Sequence, residues 1–302
     1  NDSKIDGIII ATPPEPRYEL ALKAIKAGKH LLLEKPTCLN AEEVKELQRN
    51  ALKRNLKVAV DYEYRAVPLF MQAKRIIEKE KIDEPYFIKL DWLMSSRADL
   101  DRPWNWYSDK NSGGGVLGAL GTHAYDMIYW LMGPIHSLSA INSTSIKKRF
   151  CPQSKTLKKV TSEDVSISQL QIKNYKNNLI PCQVNLSAVT KQSKGFSLEI
   201  YAQNRTLILC SDNQKDYVHG FGLWYSRDGE ALKNIQPDSD LSFSKIWTDG
   251  RIAPVARIQS WWAQSIKDNT PVIPGLAEGL ASQMVCDKIK ESNSTGMKLE
   301  II

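Results

Sequence analysis

A chain of 302 residues with 42% hydrophobic and 25% charged residues has the composition of a soluble globular protein, long enough for two domains and rich enough in apolar side chains for a packed core. The formal net charge of +7 is dispersed through mixed runs such as Glu78-Lys79-Glu80-Lys81, which argues against a nucleic-acid partner and leaves room for an anionic ligand such as a nucleotide. No apolar run approaches the roughly 20 residues that cross a bilayer, and Cys38, Cys151, Cys182, Cys210 and Cys286 have neither metal-ligand nor redox spacing; the reading is a cytoplasmic chain with reduced cysteines, no membrane partner and no metal.

Taken in order, Gly7-Ile8-Ile9-Ile10-Ala11 is the β-branched run of a strand buried on both faces. Thr12-Pro13-Pro14 ends it, and Tyr18, Ala21, Leu22 and Ile25 recur at helical spacing until Gly28. Leu31-Leu32-Leu33 reads as a second strand. Asn40, with Glu43 three residues on, reads as a capping box that opens a helix with Val44, Leu47 and Ala51 on its apolar side. Val58-Ala59-Val60 is a third strand, so residues 1–66 run β-α-β-α-β, half of a doubly wound parallel domain.

After Pro68 a helix with Ala73, Ile76 and Ile77 inward leads to the alternating stretch 86–92, then to strand-like runs at 137–145, 165–172, 179–189, 196–201 and 206–210. The tail returns to helix around Ile258, Trp261 or Trp262, and Ile266, then from Leu276 to Ile289, before a short strand at 297–301. The predicted fold class is α/β: a partial Rossmann-type parallel sheet in residues 1–66, and an α+β domain with a large, mostly antiparallel sheet in residues 67–302, with a cleft between them.

Two constellations carry chemistry. Glu34-Lys35-Pro36 puts Lys35 at the carboxyl end of a parallel strand, where ligands of such sheets bind and where a lysine can exchange the proton that accompanies carbinol oxidation. The run from Gly113 to Asp126 places glycines before an apolar helix with Met127, Tyr129, Trp130 and Leu131, so His123 falls in a first helical turn whose dipole favours neutral imidazole. Gly113, Gly115 and Gly118 spell G-x-G-x-x-G, but residues 104–112 are polar and aromatic rather than a buried strand. The pyrophosphate-binding match is rejected, and the glycines are read as letting backbone approach cofactor or substrate. Trp104, Trp106 and Tyr107 carry rings that either stack on the apolar face of a ligand ring or anchor their loop on the domain.

Ala11-Thr12-Pro13, Ala27-Gly28-Lys29-His30, Glu34-Lys35-Pro36 and the stretch ending Gly121-x-His123-x-x-Asp126 resemble the Gfo/Idh/MocA family, named for glucose-fructose oxidoreductase and inositol dehydrogenase. The likeness runs from the neighbourhood of Ile5 to Ile302. It implies a Rossmann domain holding NAD or NADP, and a C-terminal domain whose open sheet supports the substrate and homo-oligomer contacts. It implies Lys35 and His123 as catalytic residues, Ala11, Thr12, Pro13, Glu34 and Lys35 on the cofactor, and Glu63, Arg65, Trp106, Thr122 and Tyr125 toward the substrate. The implied reaction is hydride transfer between nicotinamide and a sugar, polyol or related cyclic alcohol. A non-catalytic nucleotide- or sugar-binding regulator and an NAD-dependent glycosidase are the alternatives on this scaffold.

Three departures from the family pattern stand out. Ala119 occupies the position, four residues before the histidine, where many relatives carry an aspartate; this assigns the main acid/base role to Lys35 and leaves His123 to position and polarise the substrate oxygen. Arg17 stands where relatives often have histidine and is read as an exposed residue at a helix start, free to hold a nucleotide phosphate. The strand, glycine-rich turn and acidic ribose-binding residue expected before Ile8 are not in the sequence, which predicts a fragment or incomplete product with a bare hydrophobic sheet edge and no helix terminus for the pyrophosphate.

Overall fold

The computed structural model describes residues 2–82, 84–174, 176–213, 216 and 218–301. Its first lobe consists of β1 (Gly7–Ile10), α1 (Pro14–Lys26), β2 (His30–Leu33), α2 (Ala41–Lys53) and β3 (Val58–Val60), with the strands parallel in the order β1-β2-β3. Central β2 is leucine-rich and buried, as a strand covered on both faces requires. Outer β1 departs from the sequence expectation: Ile10 is buried, but Ile8 is 37% and Ile9 50% exposed, because no strand among the described residues pairs with its other edge.

Local chemistry sets the helix ends. Prolines open α1, where a missing N–H costs nothing to the helix, and Gly28 at φ 75° takes the left-handed turn that follows it. The Asn40 side chain accepts the Glu43 N–H at 3.0 Å to start α2; Glu43 in return accepts from the Leu39 N–H at 3.0 Å, one residue before the partner a standard capping box uses.

In the second lobe, β4 (Phe87–Leu93), β5 (Ile135–Ser143), the hairpin β6 (Lys148–Cys151) and β7 (Thr156–Lys159), β8 (Val165–Lys173), β9 (Leu179–Ser187), β10 (Phe196–Ala202), β11 (Arg205–Ser211), β12 (Gly222–Arg227), β13 (Lys233–Ile235) and β14 (Leu299–Glu300) are joined by α3 (Pro68–Lys79), α4 (Thr122–Met132), α5 (Ile252–Asp268) and α6 (Leu276–Thr295). Nine strands form one sheet in the order β13-β12-β11-β10-β4-β9-β8-β5-β14, antiparallel except where β4 runs parallel to β9. Alternation puts Ile88, Leu90 and Trp92 of β4, Val184 and Leu186 of β9, and Phe196, Leu198 and Ile200 of β10 into one core with Phe70, Met127, Ile128 and Ile289 from α3, α4 and α6. Burial of each such side chain contributes about 1.5–3 kcal/mol before conformational entropy is subtracted.

The C-terminal helices return to the first lobe. Ile258 and Trp262 of α5 pack on Leu32, Ala59 and Ala66, and the Trp262 indole donates to the Lys57 carbonyl at 3.2 Å. Leu276 of α6 joins the core of β1 to β3, and the Val60 N–H donates to the Pro274 carbonyl at 3.1 Å. In space, therefore, the lobe begun by residues 1–66 is completed by residues of the far C-terminus. All five cysteines are free thiols, and no helix among the described residues is long and apolar enough to cross a membrane.

Candidate active site

A cleft of about 760 Å³ opens where the carboxyl ends of the parallel strands face the glycine-rich segment. Ala11, Thr12 and Pro13 follow β1, Glu34, Lys35 and Pro36 follow β2, and Glu63 follows β3; Arg97, Trp106, Gly118 and Ala119 line the opposite side. Arg17 holds the rim together. It is buried, and its guanidinium donates to the carbonyl oxygens of Thr12, Glu34 and Pro36, tying the end of β1 to the cis Lys35-Pro36 turn. Burial lowers its pKa to about 10. The expectation of an exposed, phosphate-holding Arg17 is thus corrected: it is buried, and both its Nη groups donate to backbone.

The Lys35 ammonium donates to the Ala119 carbonyl at 2.8 Å, and the Glu34 carboxylate accepts the Lys35 N–H at 2.9 Å. The Glu63 side chain, 15% exposed, has its pKa raised to about 8 by burial, with Lys35 opposing the shift and Asp61 and Glu34 adding to it. Its Oε2 lies 3.5 Å from Nε2 of His123. His123 is 3% exposed and enclosed by the rings of Tyr62, Tyr64 and Trp92, with centroids 5.8, 4.9 and 6.1 Å away. It meets the cleft through Glu63 and is not part of the lining.

Burial, seconded by the charge of Lys35, pushes His123 well below its ordinary pKa, so the imidazole is neutral as expected but for a different reason. The helical path begins earlier than α4, at Val116 and Leu117, whose N–H groups donate to the Glu163 backbone carbonyl (2.9 Å) and carboxylate (3.0 Å). A π-helical turn, Leu117–Gly121, then carries it into α4. His123 therefore sits beyond the first turn, where the dipole acts weakly.

Three of the expected substrate contacts lie elsewhere. Arg65 is buried in a two-pronged ion pair with Asp126, at 2.8 and 2.7 Å. Residues 63–66 form a 3-10 turn of about three residues per revolution, so Glu63 and Arg65 leave it in different directions. Thr122 is buried and donates to the Gly118 carbonyl at 3.1 Å; Tyr125 lies in the core with its hydroxyl 3.1 Å from that of Ser168.

The aromatic cluster before the glycines divides as well. Trp106, 37% exposed, faces the cleft, Tyr107 is buried, and Trp104 anchors its loop through a 3.1 Å bond from its indole to the Lys159 carbonyl. The glycines mainly let the loop close on itself. A Cβ on Gly114 would stand 2.2 Å from the Tyr107 carbonyl oxygen, one on Gly118 2.7 Å from that of Gly113, and Gly113 and Gly115 have φ of 78° and 104°. Gly118 is the one glycine among the lining residues.

Sequence reasoning missed Asp61. It follows β3 as Glu34 follows β2, and that rim position was the available signal. Buried, with Oδ1 unpartnered, its carboxyl is raised to about 7 by burial and by Glu34, against the pull of Lys35.

These residues fit the nicotinamide end of a dinucleotide. The Thr12 hydroxyl at the rim is buried without a partner, beside an open mouth lined by Lys35 and by the Glu63 carboxyl, which burial raises to about 8. The start of α1 offers no phosphate cradle, because Pro13, Pro14 and Pro16 have no N–H to donate.

A parallel Rossmann-type sheet whose rim faces a lysine and buried proton-carrying groups defines a nucleotide-dependent oxidoreductase. Residues 1–62 match the oxidoreductase family's NAD-binding Rossmann fold and residues 74–301 its C-terminal alpha/beta domain, so the chain belongs to the Gfo/Idh/MocA oxidoreductase family and its cofactor is of the NAD type. It is 40% identical over 291 residues, 96% of this chain and 77% of the relative, to an uncharacterized oxidoreductase of Synechocystis sp.. It is 33% identical to levoglucosan dehydrogenase of Pseudarthrobacter phenanthrenivorans over 150 residues, 49% of this chain and 38% of that one. The fold superposes on a levoglucosan dehydrogenase complex with NADH at a TM-score of 0.87 and 21% identity, covering 100% of this chain and 81% of that one.

Proposed function

We propose that the chain transfers hydride between the carbinol carbon of a sugar, polyol or related cyclic alcohol and NAD or NADP. The observation that carries this reading is the meeting of Lys35 and Glu63 from separate segments at one cleft, with Lys35 held on the backbone of Ala119 and His123 buried behind Glu63. The nicotinamide, when bound, accepts or returns the hydride. Ala11, Thr12, Pro13 and Glu34 hold that end of the cofactor.

Lys35 first gives a proton to solvent; its free amine then takes the proton of the carbinol oxygen during oxidation, and the ammonium so formed returns it to the carbonyl oxygen during reduction. Glu63, protonated near neutral pH, presents a hydroxyl to the cleft where Ala119 has no carboxyl to offer. His123, behind it, is a positioning residue that orients Glu63 through Nε2. The exposed edge of Trp106 gives a sugar ring an apolar wall.

The same reading includes a homo-oligomer formed through the nine-stranded sheet. Its face turned away from α3, α4 and α6 presents Trp224 and the stacked pair Phe87 and Tyr201. Five free thiols suit a reducing compartment such as the cytoplasm.

The test is cofactor reduction followed by absorbance across sugars, polyols, inositols and sugar acids, with the wild type and Lys35→Ala. Turnover that vanishes in the variant supports the proposal. Cofactor binding without turnover on any substrate supports a regulator instead, the reading that Ala119 favours, and glycosidic cleavage without net cofactor reduction supports an NAD-dependent glycosidase.

A further inference from the structure

We propose that the cleft is built for a substrate bearing an anionic group, a carboxylate or a phosphate, and that Arg97 is the receptor for that group. The inference deepens the dehydrogenase reading of the cleft and rests on it. Arg97 lines the same cleft as Lys35, Glu63 and Trp106, yet no acidic side chain pairs with it among the described residues. Burial lowers its pKa, and the charges of Arg102 and Arg149 add to that against the opposing effect of Tyr107.

Acids in the neighbourhood are already engaged. Glu163 accepts the Leu117 N–H, Asp164 accepts the N–H groups of Ser145 and Ile146, Asp99 accepts the Asp101 N–H, and Asp249 pairs with Arg251 at 2.6 Å. Of the other lining carboxyls, Glu34 accepts the Lys35 N–H at 2.9 Å, and Glu63 carries its proton near neutral pH. A half-buried guanidinium with cationic neighbours is costly in the free protein, and an incoming anion relieves that cost.

The guanidinium is also fixed in place before any ligand arrives. It lies over the Tyr107 ring at 3.7 Å from the centroid, and the Arg97 N–H donates to the Ala188 carbonyl at 2.7 Å. The loop around it is stapled from below by Arg149, a buried residue of β6, which donates to the carbonyl oxygens of Arg97 (2.5 Å), Asp99 (2.7 Å) and Arg102 (3.2 Å). Arg102 adds a bond to the Ser96 carbonyl at 2.9 Å. Two arginines thus spend their donors on backbone to hold a third toward the cleft. Pre-organised guanidinium donors recognise carboxylate and phosphate alike, and a neutral sugar gives them no charge to meet.

Calorimetric titration of D-glucose, D-glucuronate and D-glucose 6-phosphate into the whole chain, with and without NADH, tests this without requiring turnover. The expected result is that one or both anionic sugars bind roughly tenfold or more tightly than glucose. That preference is lost in Arg97→Met and partly kept in Arg97→Lys, while NADH affinity and thermal stability stay at wild-type levels. A preference for glucuronate assigns a carboxylate, and one for glucose 6-phosphate assigns a phosphate. Equal affinity for all three sugars, binding of none of them, equal weakening of all three in Arg97→Met, or a loss of NADH affinity in that variant each overturns the proposal. Lack of cofactor reduction with every sugar defeats the dehydrogenase reading alone, since the binding preference is read separately.

Discussion

Glu63 Oε2 stands 3.5 Å from His123 Nε2, and the two groups meet as neutral partners, because burial raises the carboxyl and lowers the imidazole. A folded-state pKa of about 8 means that folded protein keeps the Glu63 proton through a range in which the unfolded chain, with an ordinary value of 4.5, has released it. Glu63 therefore contributes stability that is complete below the unfolded value and is lost as pH rises through the folded one. His123 works in the opposite sense, losing stability as pH falls through 6.5, so the Glu63 contribution is read by difference. The melting temperature of the wild type minus that of Glu63→Gln is expected to fall steadily from about pH 5 to about pH 9. A flat difference would remove the buried, protonated Glu63 from the account.

Arg65 and Asp126 hold the turn after β3 to α4 through a buried pair. Removing one partner leaves the other charge without compensation, so Arg65→Met or Asp126→Leu alone is expected to destabilise the fold by about 3–5 kcal/mol, and the double variant by less than the sum. Chemical denaturation of the three variants measures this. Wild-type stability in both single variants would place these residues somewhere other than a structural pair.

Thr12 carries a buried hydroxyl that has no partner in the free protein. Thr12→Val keeps the shape and removes the hydroxyl, so thermal stability is expected to hold or rise while the NAD dissociation constant increases about 3- to 10-fold. Titration of both proteins with NADH fluorescence checks this, and unchanged affinity would take the Thr12 hydroxyl off the cofactor.

How much of this was legible follows particular residues. Lys35 lies on the rim after β2, as read from Leu31-Leu32-Leu33, because ligands of parallel sheets meet the carboxyl ends of such strands. The hairpin β6–β7, which holds Arg97 in place, was not legible: Thr156–Lys159 is exposed throughout and has no apolar alternation to read. The parallel neighbours β4 and β9 are distant in sequence, and alternation looks the same in either direction.

Arg17 looked exposed because a guanidinium at a helix start usually is. Its burial depends on three carbonyl oxygens that tertiary folding brings together. Arg65 and Glu63, two residues apart, were assigned one role because sequence spacing does not reveal a 3-10 turn. His123 was set in a first helical turn because the π-helical segment before it, four of whose five residues are glycine or leucine, carries no periodic signal.

The central claim is that the Lys35 amine, held at the cleft by Ala119, moves the proton that accompanies hydride transfer. The most direct measurement is kcat for cofactor reduction by Lys35→Ala against wild type on the best substrate found, with NADH affinity determined on both proteins. The account predicts a loss of about 10²–10⁴-fold in kcat with NADH affinity largely preserved. Turnover by the variant at the wild-type rate would contradict it.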